Sequence, residues 1–455
     1  MISDIFFDRM KSILKDEYQA FSEALDMPPV KAVRVNLAKI SREEFLEKTS
    51  LDLTPLPYCE EGFILENSDG IGNTPEHSSG MIYAQDPGAM SAVSAIDIKA
   101  GDLVLDCCAA PGGKSSQAYS KIGDTGLLIA NEFVPKRAKI CVSNFERLGF
   151  KSALVTSLDT SELSKMYRGV FDVVICDAPC SGEGMFRKYD EARAEWSPEN
   201  VLASAKRQKE ILDNIADTVK AGGTLLYSTC TYSTEENEGV VLDFLAKHPD
   251  FHLTPPNERV RPFVSQGLAL DGHEELRLTS RFYPHKSRGE GQFVAVLKRD
   301  EQAEISPTIL YKDAGISPSK EEYRIAMDFL KENLKSIPDA RLIKRGETLS
   351  LVPKGLVIPR GSVFLTGVCL GEIRGKNLFP HHHLFSAYGE LFKRQIDLSA
   401  DDARVAKYLA GEEIPCDTCD SGFCVVKYLG VPLGGGKISG GVVKNHYPKG
   451  LRIKN

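Results

Sequence analysis

"LVLDCCAAPGGKSSQ", residues 103–117, decides how this chain folds. Leu103 to Asp106 read as an apolar strand, a Pro-Gly-Gly turn follows, and a helix opens near Lys114. Strand, glycine turn and helix in that order make the first unit of a parallel sheet. The glycines let a ligand lie against the backbone, and the free N–H groups of the helix start can hold it. A dinucleotide fold asks for G-x-G-x-x-G here, and only the adjacent Gly112 and Gly113 are present. A phosphate loop asks for G-x-x-x-x-G-K-[ST]; its last three residues match, but its first glycine is missing.

Outward from this unit the alternation continues. "LLIAN" (127–131), "ALVT" (153–156), "FDVVICD" (171–177) and "GGTLLYS" (222–228) read as strands. Helical spacing separates them over 135–147 and 198–220. A further helix in "EENEGVVLDFLAKH" precedes a late strand, "GQFVAVLKR". The fold class expected is therefore α/β, a Rossmann-like sheet covered on both faces, with ligands beyond the carboxyl ends of the strands.

At 455 residues the chain exceeds one ordinary core. Residues 1–80 read as a small α+β region, with an amphipathic helix over 5–25, a strand in "KAVRVNLAKI" and a helix in "REEFLEK". The sheet occupies 81–300. A polar stretch with two prolines, "RDEQAEISPTILYKDAGISPSKEEY", leads into a linker and intermediate C-terminal domain over 301–395. A β-rich module closes the chain over 396–455, with a short helix at 401–410 and strands in "GFCVVKYLG" and "GVVKNHY".

Composition is that of a globular protein, 42% apolar and 26% charged. No apolar run approaches the ~20 residues of a membrane helix, and the charged N-terminus lacks the marks of a secretory signal. Eleven cysteines, an odd number spread along a large chain, fit free thiols in a reducing cytoplasm. A net charge of −7 argues against binding nucleic acid by bulk charge, but Lys437 to Asn455 holds four lysines and one arginine with no acid.

Two acids follow successive strands. Glu132 lies 20 positions after Gly112, where a carboxylate accepts from both hydroxyls of a ribose. Asp159 follows the third strand, where it can accept from an adenine amino group. Either acid alone is an ordinary turn or cap residue; together they describe a site for an adenosine without a triphosphate, and S-adenosyl-L-methionine fits.

"DCCAAPGGK", "DAPCSGEG" and "STCTYSTEENE", in this order, resemble the Sun-type RNA cytosine-5 methyltransferase family over roughly 30–300; "YAQDPGAM" (83–90) also matches. "GVPLGGGKISGGVVKNHYPKGLR" resembles the bacterial branch that modifies small-subunit ribosomal RNA and carries a PUA-like module. The resemblance implies a methyltransferase sheet between RNA-binding N-terminal and C-terminal parts. It implies cofactor contact by Cys108, Ala109, Ala110, Pro111, Gly112, Gly113 and Lys114, and by Glu132, Asp159 and Asp177, with Arg137 assisting.

Carbon 5 of cytosine is a poor nucleophile, so such chemistry needs a thiolate to add at C6, a donor near N3, and help in release. Cys180 and Cys230 both end predicted strands at the ligand-binding edge, and spacing does not choose between them. A Pro-Cys nucleophile, as in DNA enzymes, would be Cys180. The resemblance implies that Cys230 of the later motif attacks, that Cys180 serves product release, and that Asp177 serves the N3/N4 edge, the cofactor, or both.

Other motifs are expected to be bland. "CDTC" (416–419) lacks a second pair, so no metal is expected. "HHH" (381–383) reads as a surface or RNA-facing loop, and Glu235, Glu236 and Glu238 as the charged first turn of a helix. The partner expected is structured ribosomal RNA or the small subunit, met by a cytoplasmic monomer. Transfer RNA as substrate, and a binding module without catalysis, are the alternatives. Methylation of a base amino group would want an aromatic residue where "DAPC" has none.

Overall fold

A computed structural model describes residues 3–66, 70–417 and 420–453. Ten strands form the central sheet: β1 (Leu103–Asp106), β2 (Leu127–Asn131), β3 (Ala153–Thr156), β4 (Phe171–Asp177), β5 (Val219–Thr229), β6 (Phe251–Thr254), β7 (Ser265–Gln266), β8 (Ser280–Phe282), β9 (Gln292–Arg299) and β10 (Val363–Thr366). The order is β7-β8-β9-β5-β4-β1-β2-β3-β10, with β6 also on β9. Strands β1 to β5 run parallel, while β9 and β10 pair antiparallel with β5 and β3. Successive residues of these strands enter opposite cores, Val104 on one face and Leu105 on the other, which is why the runs are almost wholly apolar. The chain leaves β1 toward β2 on one side and returns as β4 on the other. That reversal opens a crevice at the carboxyl ends.

The parallel sheet would end on an exposed edge at β3. It is covered by β10, drawn from the C-terminal half of the chain, which pairs Val363 with Thr156 and Leu365 with Val155. Nothing in the short "VFLT" stretch announces this, because an edge partner is chosen by tertiary proximity.

The predicted helix over 5–25 is two helices, Asp4–Leu14 and Tyr18–Asp26. Lys15 between them takes a left-handed φ of 50°, and the break lets Phe6 and Phe21 pack on one aromatic group with Phe186, Trp196 and Tyr232. A four-stranded sheet follows, with strands Leu53–Pro55, Gly62–Leu65, Ala32–Val35 and Ile82–Ala84. It is too small to bury its own apolar surface. Val33, Val35, Phe45 and Phe63 instead share a core with Val426, Leu433, Ile438 and Val443 of the C-terminal module. The two ends of the chain therefore form one packed unit. Lys39 fixes the junction, its buried ammonium donating to the carbonyls of Ser79 (2.6 Å), Arg147 (3.1 Å) and Pro432 (3.3 Å).

One reading is corrected here. "HHH" is no surface loop: His382 and His383 are buried at the start of the helix His382–Tyr388. Cys369 N–H donates to Nδ1 of His383, so Nε2 carries the proton and donates to Phe150 O at 2.9 Å. Burial holds this imidazole neutral, its pKa pushed down to about 3. The glycine run "VPLGGGKIS", unassigned from the sequence, is a full strand, Val431–Ser439. Gly434 and Gly435 lie where any Cβ would meet Tyr408 Oη or the Phe385 ring, so close packing selects glycine there.

Among the described residues no helix is long and apolar enough to cross a membrane, and no cysteine forms a disulfide. Of the "CDTC" motif, Thr418 and Cys419 lie outside the described residues.

Phe45→Ala is expected to lower stability by about 3–5 kcal/mol and to expose both chain ends to limited proteolysis together. Cleavage confined to the N-terminal region would contradict the shared core.

Candidate functional site

The crevice is built by three segments leaving β1, β4 and β5. After β1 the backbone turns through Gly112 (φ 110°), which the Phe145 ring backs, into the helix Gly113–Ile122. Asp106, fully buried, accepts from Ser115 Oγ (2.5 Å) and Cys108 N (3.3 Å); burial raises its pKa to about 7. Arg34 reaches in from the N-terminal region and donates to Gln85 Oε1 (2.9 Å), Gly113 O (3.1 Å) and Ser116 Oγ (2.6 Å). Lys114 Nζ pairs with Asp177 Oδ2 at 2.8 Å, and Asp177 Oδ1 accepts from Ser228 Oγ at 2.8 Å.

On the other side, Glu132 is buried, accepts from Val134 N (3.0 Å), and pairs with Arg137 at 3.1 Å; Arg137 also donates to Ala110 O (3.1 Å). Asp159 caps the helix Thr160–Met166, accepting from Ser161 N at 2.9 Å through one oxygen. Both acids line one cavity of ≈ 680 Å³ with Cys108, Ala110, Arg137, Asp177, Cys180 and Cys230. Phe133, Arg207, Ile211 and Asn214 also line it, and the sequence had not singled them out. A second cavity of ≈ 620 Å³ lies across the crevice, lined by Asp86, Pro111, Gly113, Lys114, Lys188 and Gln292 among others. The two share Cys108, Ala110, Asp177 and Cys230, whereas Cys180 lines the first and not the second. Of the residues expected from the sequence, Gly112 alone faces neither cavity; Ala109 lines the second.

Cys180 and Cys230 come from different loops, yet their sulfurs are 3.3 Å apart. Two buried carboxylates hold the loops together. Glu183, beyond Cys180, accepts from Thr231 Oγ1 (2.8 Å), Tyr232 N (2.8 Å), Ser233 Oγ (2.6 Å) and Trp196 Nε1 (2.8 Å). Glu236, beyond Cys230, accepts from Ser181 N (3.0 Å) and Gln208 Nε2 (2.8 Å), and burial raises its pKa to about 7. Asn237 clamps both sides of Cys230, accepting from Thr229 Oγ1 (2.6 Å) and donating to Thr231 O (3.0 Å). The contact with Cys230 and its own burial hold Cys180 well above the ordinary thiol range, so it keeps its proton beside Cys230.

The expected charged first turn is corrected accordingly. The helix begins at Glu238, and Glu236 and Glu238 are buried, the latter paired with Arg281. Only Glu235 is partly exposed, beside Arg9 of the first helix. Sequence reading also passed over Glu183, although the motif "DAPCSGEG" contains it, because a glutamate among glycines carries no sign of burial.

A chain with these loops has relatives along its whole length. The family described as 16S rRNA methyltransferase RsmB/F matches residues 93–298. The N-terminal domain of 16S rRNA methyltransferase RsmF matches 2–87, and the methyltransferase RsmF PUA domain 395–453. Ribosomal RNA small subunit methyltransferase F of Klebsiella pneumoniae (strain 342) is 32% identical over 451 residues, 95% of this chain and 92% of that protein. The protein of the same name from Vibrio vulnificus (strain YJ016) is 32% identical over 482 residues, covering 100% and 98%.

The chain belongs to the RsmB/F family of 16S rRNA methyltransferases.

Solved structures agree with the RsmB/F assignment in fold. A methyltransferase homologue from Pyrococcus horikoshii superposes with a TM-score of 0.55 at 27% identity, covering 65% of this chain and 95% of that one. NSun6 from Pyrococcus horikoshii, solved with SFG, gives 0.55 at 22% identity, covering 65% and 98%. The cofactor is S-adenosylmethionine. The donor set suits it, with a buried carboxylate at a strand end for a ribose and a cavity in the size range of a cofactor site.

Glu183→Ala removes the acceptor for four donors and frees the loop of Cys230. The expected result is a drop in methyl transfer of roughly 10²-fold with cofactor affinity unchanged. Equal loss of both would mean that Glu183 supports the whole domain.

Proposed function

We propose that the protein transfers a methyl group to carbon 5 of a cytosine in 16S ribosomal RNA, with Cys230 as the attacking thiol. The observation that carries this reading is the placement of Cys230 and Asp177 on both cavities at once. Cofactor in the first and a flipped base in the second would meet beside that sulfur. Cys180 lines the first cavity but not the second, which supports a role other than attack.

In this mechanism the Cys230 thiolate adds to C6, and the electron pair displaced from the C5–C6 bond makes C5 nucleophilic. Asp177, held by Lys114 and Ser228, meets the N3/N4 edge where charge develops. S-adenosylmethionine, when bound, supplies an electrophilic methyl on its sulfonium. The segment Cys108 to Lys114, which reaches the first cavity through Cys108 and Ala110 and borders the second, is proposed to hold it with Glu132, Arg137 and Asp159. A base from solvent then takes the C5 proton, the freed electron pair re-forms the C5–C6 double bond, and the Cys230 sulfur leaves as a thiolate. Cys180, 3.3 Å from that sulfur and carrying its proton, is proposed to assist this release.

RNA contact is proposed for the C-terminal module. Lys437 and Lys444 face each other directly across two strands, and Lys437 lies 5.3 Å over the Phe423 ring. Like charges opposite one another are unfavourable unless an anion such as phosphate lies between them. Because this module shares its core with the N-terminal region, deleting 400–455 would unfold more than an RNA contact. Lys437→Glu with Lys444→Glu is the cleaner test, and it should weaken RNA binding and flatten its salt dependence while sparing cofactor affinity.

Cys230→Ala is expected to abolish methylation, and Cys180→Ala to leave a covalent RNA–protein adduct seen as a shifted band on a denaturing gel. An adduct from Cys230→Ala instead would invert the assignment. Bisulfite sequencing of 16S RNA from a strain lacking the protein should show one or more cytosines that have lost 5-methylation relative to the parent.

A further inference from the structure

Behind the cofactor cavity lies a group of thiols that the methyl transfer does not use in full. Cys107 and Cys108 follow β1 and Cys176 lies on β4, and their three sulfurs lie within 4.8 Å of one another. The Cys107 and Cys108 sulfurs are 3.9 Å apart. Cys107 and Cys176 are buried in the core with Leu105 and Val174, Cys107 also reaching the wall of the first cavity, whereas Cys108 is partly exposed and lines both cavities. A small solute entering the crevice therefore meets Cys108 first and finds two more sulfurs behind it.

Three sulfurs with no oxygen or nitrogen donor among them select a thiophilic centre. Charge then selects among such centres. Asp106 and Asp177 both act electrostatically on Cys108, while the two nearby cations are each taken up by an acid, Lys114 by Asp177 and Arg137 by Glu132. Three thiolates around a divalent ion would carry one negative charge, and around monovalent copper two. Either would add buried negative charge beside these carboxylates, which is costly. A trivalent metalloid with three thiolates is neutral.

We propose that Cys107, Cys108 and Cys176 form a three-thiolate site for trivalent arsenic in the floor of the cofactor cavity, and that its occupation excludes S-adenosylmethionine. Cys108 accepts from the Cys107 thiol and is the one partly exposed sulfur of the three, which makes it the attacking thiolate. Arsenous acid reacts with two thiols, one thiolate and one solvent proton. Three As–O bonds break, three As–S bonds form, and three waters leave through the cavity. Arsenic stays trivalent, so no oxidant or reductant takes part. The exclusion rests on the cofactor assignment made above, while the thiol site does not.

Cys180 and Cys230 are also close enough to share an arsenic, so the test uses the full chain carrying Cys180→Ser and Cys230→Ser. With arsenite and a phosphine reductant, native mass spectrometry should show one arsenic gained and three hydrogens lost. Calorimetric S-adenosylmethionine binding should weaken at least tenfold. Cys107→Ala with Cys176→Ala in the same background should abolish the three-hydrogen adduct and restore cofactor binding in arsenite. Should that variant fold poorly, saturating S-adenosylmethionine on the parent should suppress arsenic uptake. An adduct that loses two hydrogens or fewer, or no adduct, overturns the site and leaves the cofactor assignment standing. A three-hydrogen adduct with undiminished cofactor binding overturns the exclusion and points the cofactor elsewhere.

Discussion

Two carboxylates exchanged between two loops set the geometry on which the site depends. Glu183 leaves the loop of Cys180 and accepts four hydrogen bonds, three of them from the loop of Cys230. Glu236 leaves the loop of Cys230 and accepts from the backbone of the other. Burying a carboxylate costs several kcal/mol; four donors offset it at Glu183, and at Glu236 donors reach one oxygen only, so each loop is stable in its observed form only when the other is present. The 3.3 Å approach of the two sulfurs is the consequence.

The same dependence recurs at larger scale. The N-terminal sheet and the C-terminal module are each too small to close a core, and they share one. Through Arg34 this joint unit touches the turn at Gly113 that precedes Lys114. The first helices touch the other loop, with Arg9 on Glu235 and Phe6 and Phe21 among Trp196 and Tyr232. Parts expected to bind RNA thus also brace the crevice from two sides. A substitution in either end of the chain can change methyl transfer without touching a ligand.

Much of the candidate site was legible because its chemistry is local in sequence. The glycine turn after β1, the acids ending β2 and following β3, and cysteines at two strand ends are each visible within a few residues. Parallel order then puts all strand ends at one edge, so Glu132, Asp159, Asp177, Cys180 and Cys230 could be placed together before any coordinates. Glu183, Glu236 and His383 were misread or missed for one reason. Charged and polar residue types imply exposure, and only the structure supplies the partners that make their burial tolerable.

By itself the sequence determined the α/β class, the strands and helices of the methyltransferase sheet, and the residues that meet the crevice, since periodicity and motif spacing act over short range. Tertiary structure decided the rest. It broke the first helix at Lys15, brought Val363–Thr366 to the open edge, and made a glycine run a central strand of the C-terminal module. It also joined the chain's two ends in one core and put Cys230, not Cys180, where both cavities meet. Each of these depends on what surface remains unburied once the local elements exist, and no stretch of sequence carries that information alone.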